Sequence, residues 1–147
     1  MRITRGGSWL SLAAVLVLFL ASNQIAHAKD ADVDFSKDQP KEVEKGDTDF
    51  KLSGDIKIPG DCGACFFSLQ ILLVRDGKLI DSTSGQASQV TDGDLWAFEL
   101  GKNPIFQKAQ VGDIFVVTIT LTCIKDGEIV CSDTDKKKIK VVEPKKK

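Results

Sequence analysis

The chain has 147 residues, with 20 Lys and Arg against 21 Asp and Glu, a single His, a single Met and no Tyr. His27 and Met1 both lie in the first 28 residues. A chain shortened by that segment has no His for Ser-His-Asp or Cys-His nucleophilic chemistry, nor for His-ligated zinc, haem or copper. Arg2 and Arg5 also fall there and no acid does, which leaves 18 positive against 21 negative charges, a net of −3. Such a balance gives no electrostatic reason to expect a nucleic-acid partner.

Arg2 and Arg5 form a positive n-region, Leu12 to Ala21 is an unbroken apolar stretch, and Ala26-His27-Ala28 supplies the small-x-small pattern of signal peptidase sites. Residues 1–28 therefore read as a secretory signal peptide cleaved between Ala28 and Lys29. Ser22, Asn23, Gln24 and His27 interrupt the run too early for a spanning helix, so no membrane span is expected after cleavage. The destination is the periplasm or the extracellular space, in bacterial style. Neither Asn23 nor Asn103 begins an Asn-x-Ser/Thr acceptor, which excludes N-glycosylation.

Residues 29–47 are dense in Asp, Glu and Lys, with Val33, Phe35 and Val43 as their sizeable apolar side chains. They read as a flexible charged linker that buries too little to offset its ordering entropy. The Asp30-x-Asp32-x-Asp34 opening is not an EF-hand loop, because Phe35 and Lys41 stand where Gly and Glu are needed. From residue 48 to 142 the period is two. Phe50, Leu52, Ile56 and Ile58 alternate with polar residues, as do Phe67, Leu69, Ile71 and Leu73. Asp76-Gly77 is a hairpin turn between Phe66–Val74 and Leu79–Thr83. Ser82 to Thr91 follows as a polar loop, and Trp96, Phe98 and Leu100 share one face of a further strand. The longest strand places Phe115, Val117, Ile119, Leu121 and Cys123 on one side and Val116, Thr118, Thr120 and Thr122 on the other. A second hairpin at Asp126-Gly127 leads through Ile129–Cys131 to a last strand with Ile139, Val141 and Val142. Residues 143–147 form a short basic tail.

About seven short strands separated by Gly and Asp turns predict an all-β antiparallel sandwich. In outline residues 48–142 resemble an immunoglobulin-like or fibronectin type III-like domain. Trp96 lies far beyond Cys65 and no Tyr is present for a corner motif, so the resemblance implies the architecture and carries no function with it.

Cys62, Cys65, Cys123 and Cys131 are the constellation that carries chemistry. In an exported domain of this size they read as two disulfides. If successive strands run up and down, all four gather at one end of the sandwich. Local pairing, Cys62 with Cys65 and Cys123 with Cys131, is favoured because each pair is close in sequence. Cys123 faces Cys131 if the hairpin loop has three residues, whereas a two-residue loop sets Thr122 opposite Cys131. Crossed pairing would close loops of about 60 residues, worth about 4 kcal/mol each. Two other readings compete. Either the Cys-x-x-Cys pair Cys62 and Cys65 or the pair Cys123 and Cys131 can exchange disulfides as a periplasmic redox carrier, although no helix follows Cys65 to stabilise a thiolate. Four thiolates can also hold a structural zinc.

Trp96 reads as core, and Asp92, Asp94, Asp133 and Asp135 as turn acids engaged with their own backbone. Lys136-Lys137-Lys138 reads as protection of a strand edge. The expected function is a non-enzymatic, disulfide-stabilised binding or interaction module without cofactor or metal, whose partner is a protein or surface ligand. Its binding residues are expected at the loop end, at Ser84, Gln86, Ser88, Gln89 and Thr91. Oligomeric state is not legible from these features.

Overall fold

A computed structural model describes residues 2–3 and 31–146. The proposed cleavage point and nearly all of the leader lie outside the described residues. Nine described strands form two sheets: β1 (Arg2–Ile3), β2 (Asp32–Phe35), β3 (Glu42–Glu44), β4 (Leu52–Lys57), β5 (Ala64–Arg75), β6 (Lys78–Val90), β7 (Leu95–Phe98), β8 (Ile114–Lys125) and β9 (Glu128–Val142). One sheet has the order β1-β7-β4-β2 and the other β3-β9-β8-β5-β6. Among the described residues no helix is long and apolar enough to cross a membrane.

The period-two pattern does the expected work. Phe67, Leu69, Ile71 and Leu73 of β5 and Phe115, Val117, Ile119 and Leu121 of β8 are at most 1% exposed and line the inner face of the larger sheet. Each such side chain contributes about 1.5–3 kcal/mol through removal from water. Both hairpins use the same device. Asp76 and Gly77, and again Asp126 and Gly127, have positive φ, the pair of left-handed residues that a two-residue type I′ turn requires. Each returning strand then carries a bulge. Val74 pairs with Leu79 but Leu73 with Asp81, which leaves Ile80 over. Likewise Ile124 pairs with Ile129 but Cys123 with Cys131, which leaves Val130 over.

Three expectations are corrected. Residues 31–47 are not a flexible linker, because β2 joins the smaller sheet beside β4 and β3 joins the larger beside β9. Val33 and Val43 are buried, so three well-placed apolar side chains suffice where the backbone is paired on an existing sheet. The side-chain amide of Gln39 helps the crossover: Nε2 donates to the Lys51 carbonyl at 3.1 Å and Oε1 accepts from Ser53 N–H at 2.9 Å. Residues 31–47 therefore belong to the sandwich, which does not begin at 48. Second, pairing is mixed, since β3 runs parallel to β9; a strand arriving from the opposite sheet is free to take that direction. Third, Ser82 to Thr91 is not a loop. All but Thr91 belong to β6, whose partner is β5. Without apolar alternation an edge strand of Ser, Thr and Gln has no sequence signature, and its backbone pairing alone defines it.

Two short helical segments were not anticipated. A 3₁₀ turn at Leu100–Lys102 takes Leu100 out of the strand of Trp96 and Phe98. The other, α1 (Pro104–Gln107), is opened by Asn103, whose Oδ1 accepts from Ile105 N–H at 3.0 Å, with Pro at the first turn. Arg75, for which the sequence offers no partner, donates from Nε and Nη2 to the two carboxylate oxygens of buried Asp113 at 2.9 Å each. This hydrogen bond holds the Asp113 carboxyl below its ordinary value, with burial opposing, and it ties the first hairpin to the start of β8.

Trp96 of β7 joins the two sheets. Its ring lies edge-on to Phe35 at 5.5 Å and tilted against Phe67 of the larger sheet at 5.3 Å. To reach Phe35 the indole crosses β4 over Gly54, and its Nε1 donates to the Asp34 carbonyl at 3.2 Å. A Cβ built at Gly54 meets that carbonyl and the indole nitrogen. Gly54→Ala is therefore expected to destabilise the fold by about 3 kcal/mol, since the obstruction is backbone and cannot swing away; urea denaturation would measure it, and a cost under about 1 kcal/mol would contradict this packing.

On the outer face of the smaller sheet Asp34 stands directly across from Asp55. Burial and the charges of Asp32, Asp55, Asp135 and Asp133 push its carboxyl above the ordinary range. A raised acid costs stability once ionised, so stability should fall as pH climbs from about 3.8 through the raised value. Asp34→Asn should melt higher than the parent at pH 7 and no higher at pH 3, and equal melting temperatures at pH 7 would refute the repulsion.

Candidate functional site

The register of the larger sheet brings three of the four cysteines side by side. Cys65 of β5 is opposite Cys123 of β8, and Cys123 is opposite Cys131 of β9. All face inward and, with Cys62, are at most 2% exposed. The expected gathering of the four at one end is what the register produces, but local pairing is not. The disulfides are Cys62–Cys131 and Cys65–Cys123, with Cα separations of 5.6 and 4.0 Å.

The reason lies in Gly63. Its φ of +73° turns the chain just before β5 so that Cys62 passes over the end of β8 and reaches β9. A Cβ at this position would run into the carbonyl of Ile124, so a residue without one allows the close crossing. Cys62 and Cys65 then point at different strands. The hairpin expectation is corrected too: the loop has two residues, yet Cys123 still faces Cys131, because the Val130 bulge shifts the register back by one.

Both bridges consume the thiolates that a zinc site would need. Among the described residues no group of three His, Cys, Asp or Glu side chains could hold a metal ion, and the four cysteines leave no free thiol. The four acids serve the backbone, although Asp133 and Asp135 stand within β9 and not at a turn. Asp92 accepts from Ile58 N–H, Asp94 from Thr91 N–H and Asp133 from Val33 N–H, at 2.8–2.9 Å. Asp135 accepts from Lys136 N–H at 2.8 Å.

The residues expected to bind are distributed along β6. Ser84, Gln86 and Ser88 share the outer face of the sheet, opposite Gln70, Ser68 and Phe66 of β5. Ser84 is exposed, Gln86 is half-buried and Ser88 is buried. Gln89 is the unpaired residue of a further bulge, with φ of +59°. Thr91 lies beyond the strand, its N–H held by Asp94. Three of the five thus form a row on a sheet, and no loop surface gathers them.

A second feature was missed in the sequence. The β2–β3 crossover brings Lys37 and Lys41 to the side of β9 where Lys136, Lys137 and Lys138 stand, around the ring of Phe35. Lys37 and Lys137 are too distant along the chain for any local pattern to link them. No protein-family model matches this chain, and no curated protein matches it.

The staples set a stability expectation. Each closes a long loop, of sequence separation 69 and 58, so either alone is worth about 4 kcal/mol in the chain-entropy model. They are nested, however. With one in place the other closes only the short ring through Cys62–Cys65 and Cys123–Cys131, worth about 3 kcal/mol. Replacing Cys62 and Cys131 by Ser should therefore cost about 3 kcal/mol in urea denaturation. Replacing all four should cost clearly more than twice that or prevent folding, and a four-Ser chain of undiminished stability would refute the staple role.

Proposed function

We propose that this chain is an exported, non-enzymatic, immunoglobulin-like binding module whose disulfides hold a rigid frame for surface recognition. The observation that carries the reading is the buried, doubly stapled cysteine end. Four sulfurs shielded from solvent suit permanent bridges, since exchange requires an attacking thiolate to reach one of them. Intramolecular disulfides are also consistent with an oxidising compartment, which agrees with the signal-peptide reading of residues 1–28. The immunoglobulin-like type is supported by the strand order. The first strands after the leader are divided between the sheets, β2 beside β4 and β3 parallel to the last strand β9. Of the row, Ser84 is exposed and lies beside Gln70 of β5; these two polar side chains are where a protein or surface ligand would make contact.

A thiol–disulfide carrier is the second reading. It rests on Cys123 being cross-strand neighbour to both Cys65 and Cys131, which permits one bridge to be traded for another. Intact mass with thiol alkylation, on protein from an oxidising host, separates the two. Two bridges that survive a glutathione buffer are the expected result. A bridge that opens under those conditions and re-forms by exchange would replace the binding-module reading with the redox one.

A further inference from the structure

We propose that the lysine-lined hollow between the β2–β3 crossover and β9 is a binding site for an acidic polysaccharide, one that carries sulfate or carboxylate groups along its length. The hollow encloses about 430 Å³. Lys37 and Lys41 line one wall and Lys136, Lys137 and Lys138 the other, with the half-buried ring of Phe35 between them. The Lys137 ammonium stands 5.7 Å from the centre of that ring. One carboxylate lines the hollow, Asp135, and its Oδ1 already accepts the Lys136 N–H.

Three lysines elsewhere are held by acids. Lys51 and Lys102 lie within 4 Å of the Glu99 carboxylate and Lys108 within 2.8 Å of Asp81. Among the described residues, none of the five in the hollow has a carboxylate within that range, although acids outnumber bases in this chain. Edge protection accounts for lysines on β9, because β3 pairs with β9 only at Lys140–Val142. It does not account for Lys37 and Lys41, which arrive from another element and bring like charge toward the same space at an electrostatic cost.

The ligand class follows from what surrounds the charge. Lys136 and Lys138 share the outer face of β9 with Lys140, and alternate residues of a strand repeat at about 6.6 Å. Lys137, over the Phe35 ring, is on the other side of the strand with Ile139, so the row borders the hollow across the β9 edge, where it meets repeated anions on a linear chain. Lysine offers a mobile point charge in place of the bidentate fork of arginine, which suits varied oxyanions on a flexible polymer. The large exposed apolar side chains, Leu79, Ile80, Leu95 and Val111, do not line the hollow, so nothing there would enter a bilayer. A single aromatic ring is no platform for stacked bases.

This inference extends the binding-module reading to a second face, and its failure leaves the cysteine frame untouched. The probe is a heparin-derived hexasaccharide, titrated calorimetrically into the full mature chain at about 50 mM salt, where screening is weak. Lys37→Gln, Lys41→Gln and Lys137→Gln are combined in one variant. Lys78→Gln, Lys102→Gln and Lys125→Gln are combined in a control of equal charge whose sites lie outside the hollow. The expected result is binding that the hollow variant weakens at least about tenfold and the control less than about threefold, with both variants melting as the parent does, and that declines as salt rises. Equal weakening by the two variants, or no binding by the parent, would overturn the site. Phosphatidylglycerol vesicles form a second arm: binding to them, with the same lysine dependence and no hexasaccharide binding, would overturn the polysaccharide in favour of a lipid surface. Should the hollow variant melt lower, the single Lys41→Gln change must still weaken binding for the site to stand.

Discussion

The indole of Trp96 laid across Gly54 is the contact on which the two-sheet arrangement depends. β2, β4 and β7 are short, of four, six and four residues, and such a sheet is marginal alone. Trp96 removes that difficulty by touching Phe35 within its own sheet and Phe67 in the other. Its Nε1 meets the Asp34 carbonyl, so the indole is buried without leaving a polar atom unpaired. The arrangement requires that one inward position of β4 have no side chain. Leu52 and Ile56 flank Gly54 on the same face and fill the space the indole leaves.

At the cysteine end the constraint is one of register. A strand's facing is binary, so each bulge reverses which residues look inward beyond it. Plain alternation along β5 sets Cys65 on the inner face opposite Cys123, and the Val130 bulge sets Cys131 there as well. Three adjacent inward cysteines contain one more sulfur than a pair can use, and the odd one is taken by Cys62, delivered across β8 by Gly63. The crossed connectivity is therefore a consequence of one bulge and one left-handed glycine. Its energetic consequence is large, because the bridges join segments about 60 residues apart.

Near-neutral net charge hides how differently the two signs are used. Asp92, Asp94, Asp113, Asp133 and Asp135 each accept backbone N–H groups at turns and strand edges. Several acids thereby replace hydrogen bonds that irregular backbone would otherwise lose. Lysines have no such task, since the long side chain reaches past the backbone into solvent. Acids are held by the frame while lysines remain on its surface, and a hollow in which five lysines meet one carboxylate arises within a chain whose overall charge is negative.

Local chemistry was enough to specify much of this protein. Alternation in β4, β5, β7, β8 and β9, the two Asp-Gly turns and the apolar rows that meet in the core are all written in short windows, because a strand's pleat has a period of two and a type I′ turn needs positive φ. The disulfide character and the clustering of the cysteines follow from their count and from strand direction. Tertiary structure decided the rest. Whether Asp32–Phe35 and Glu42–Glu44 are linker or strand depends on which open edges exist to receive them, and whether Ser82–Val90 is loop or strand depends on β5 beside it. Disulfide partners were set by the Val130 bulge and the turn at Gly63, which no pattern of hydrophobicity marks. The meeting of Lys37 with Lys137 depends on a chain that changes sheets between β2 and β3. Properties carried by neighbours in sequence were legible, whereas those carried by neighbours in space awaited the pairing of strands.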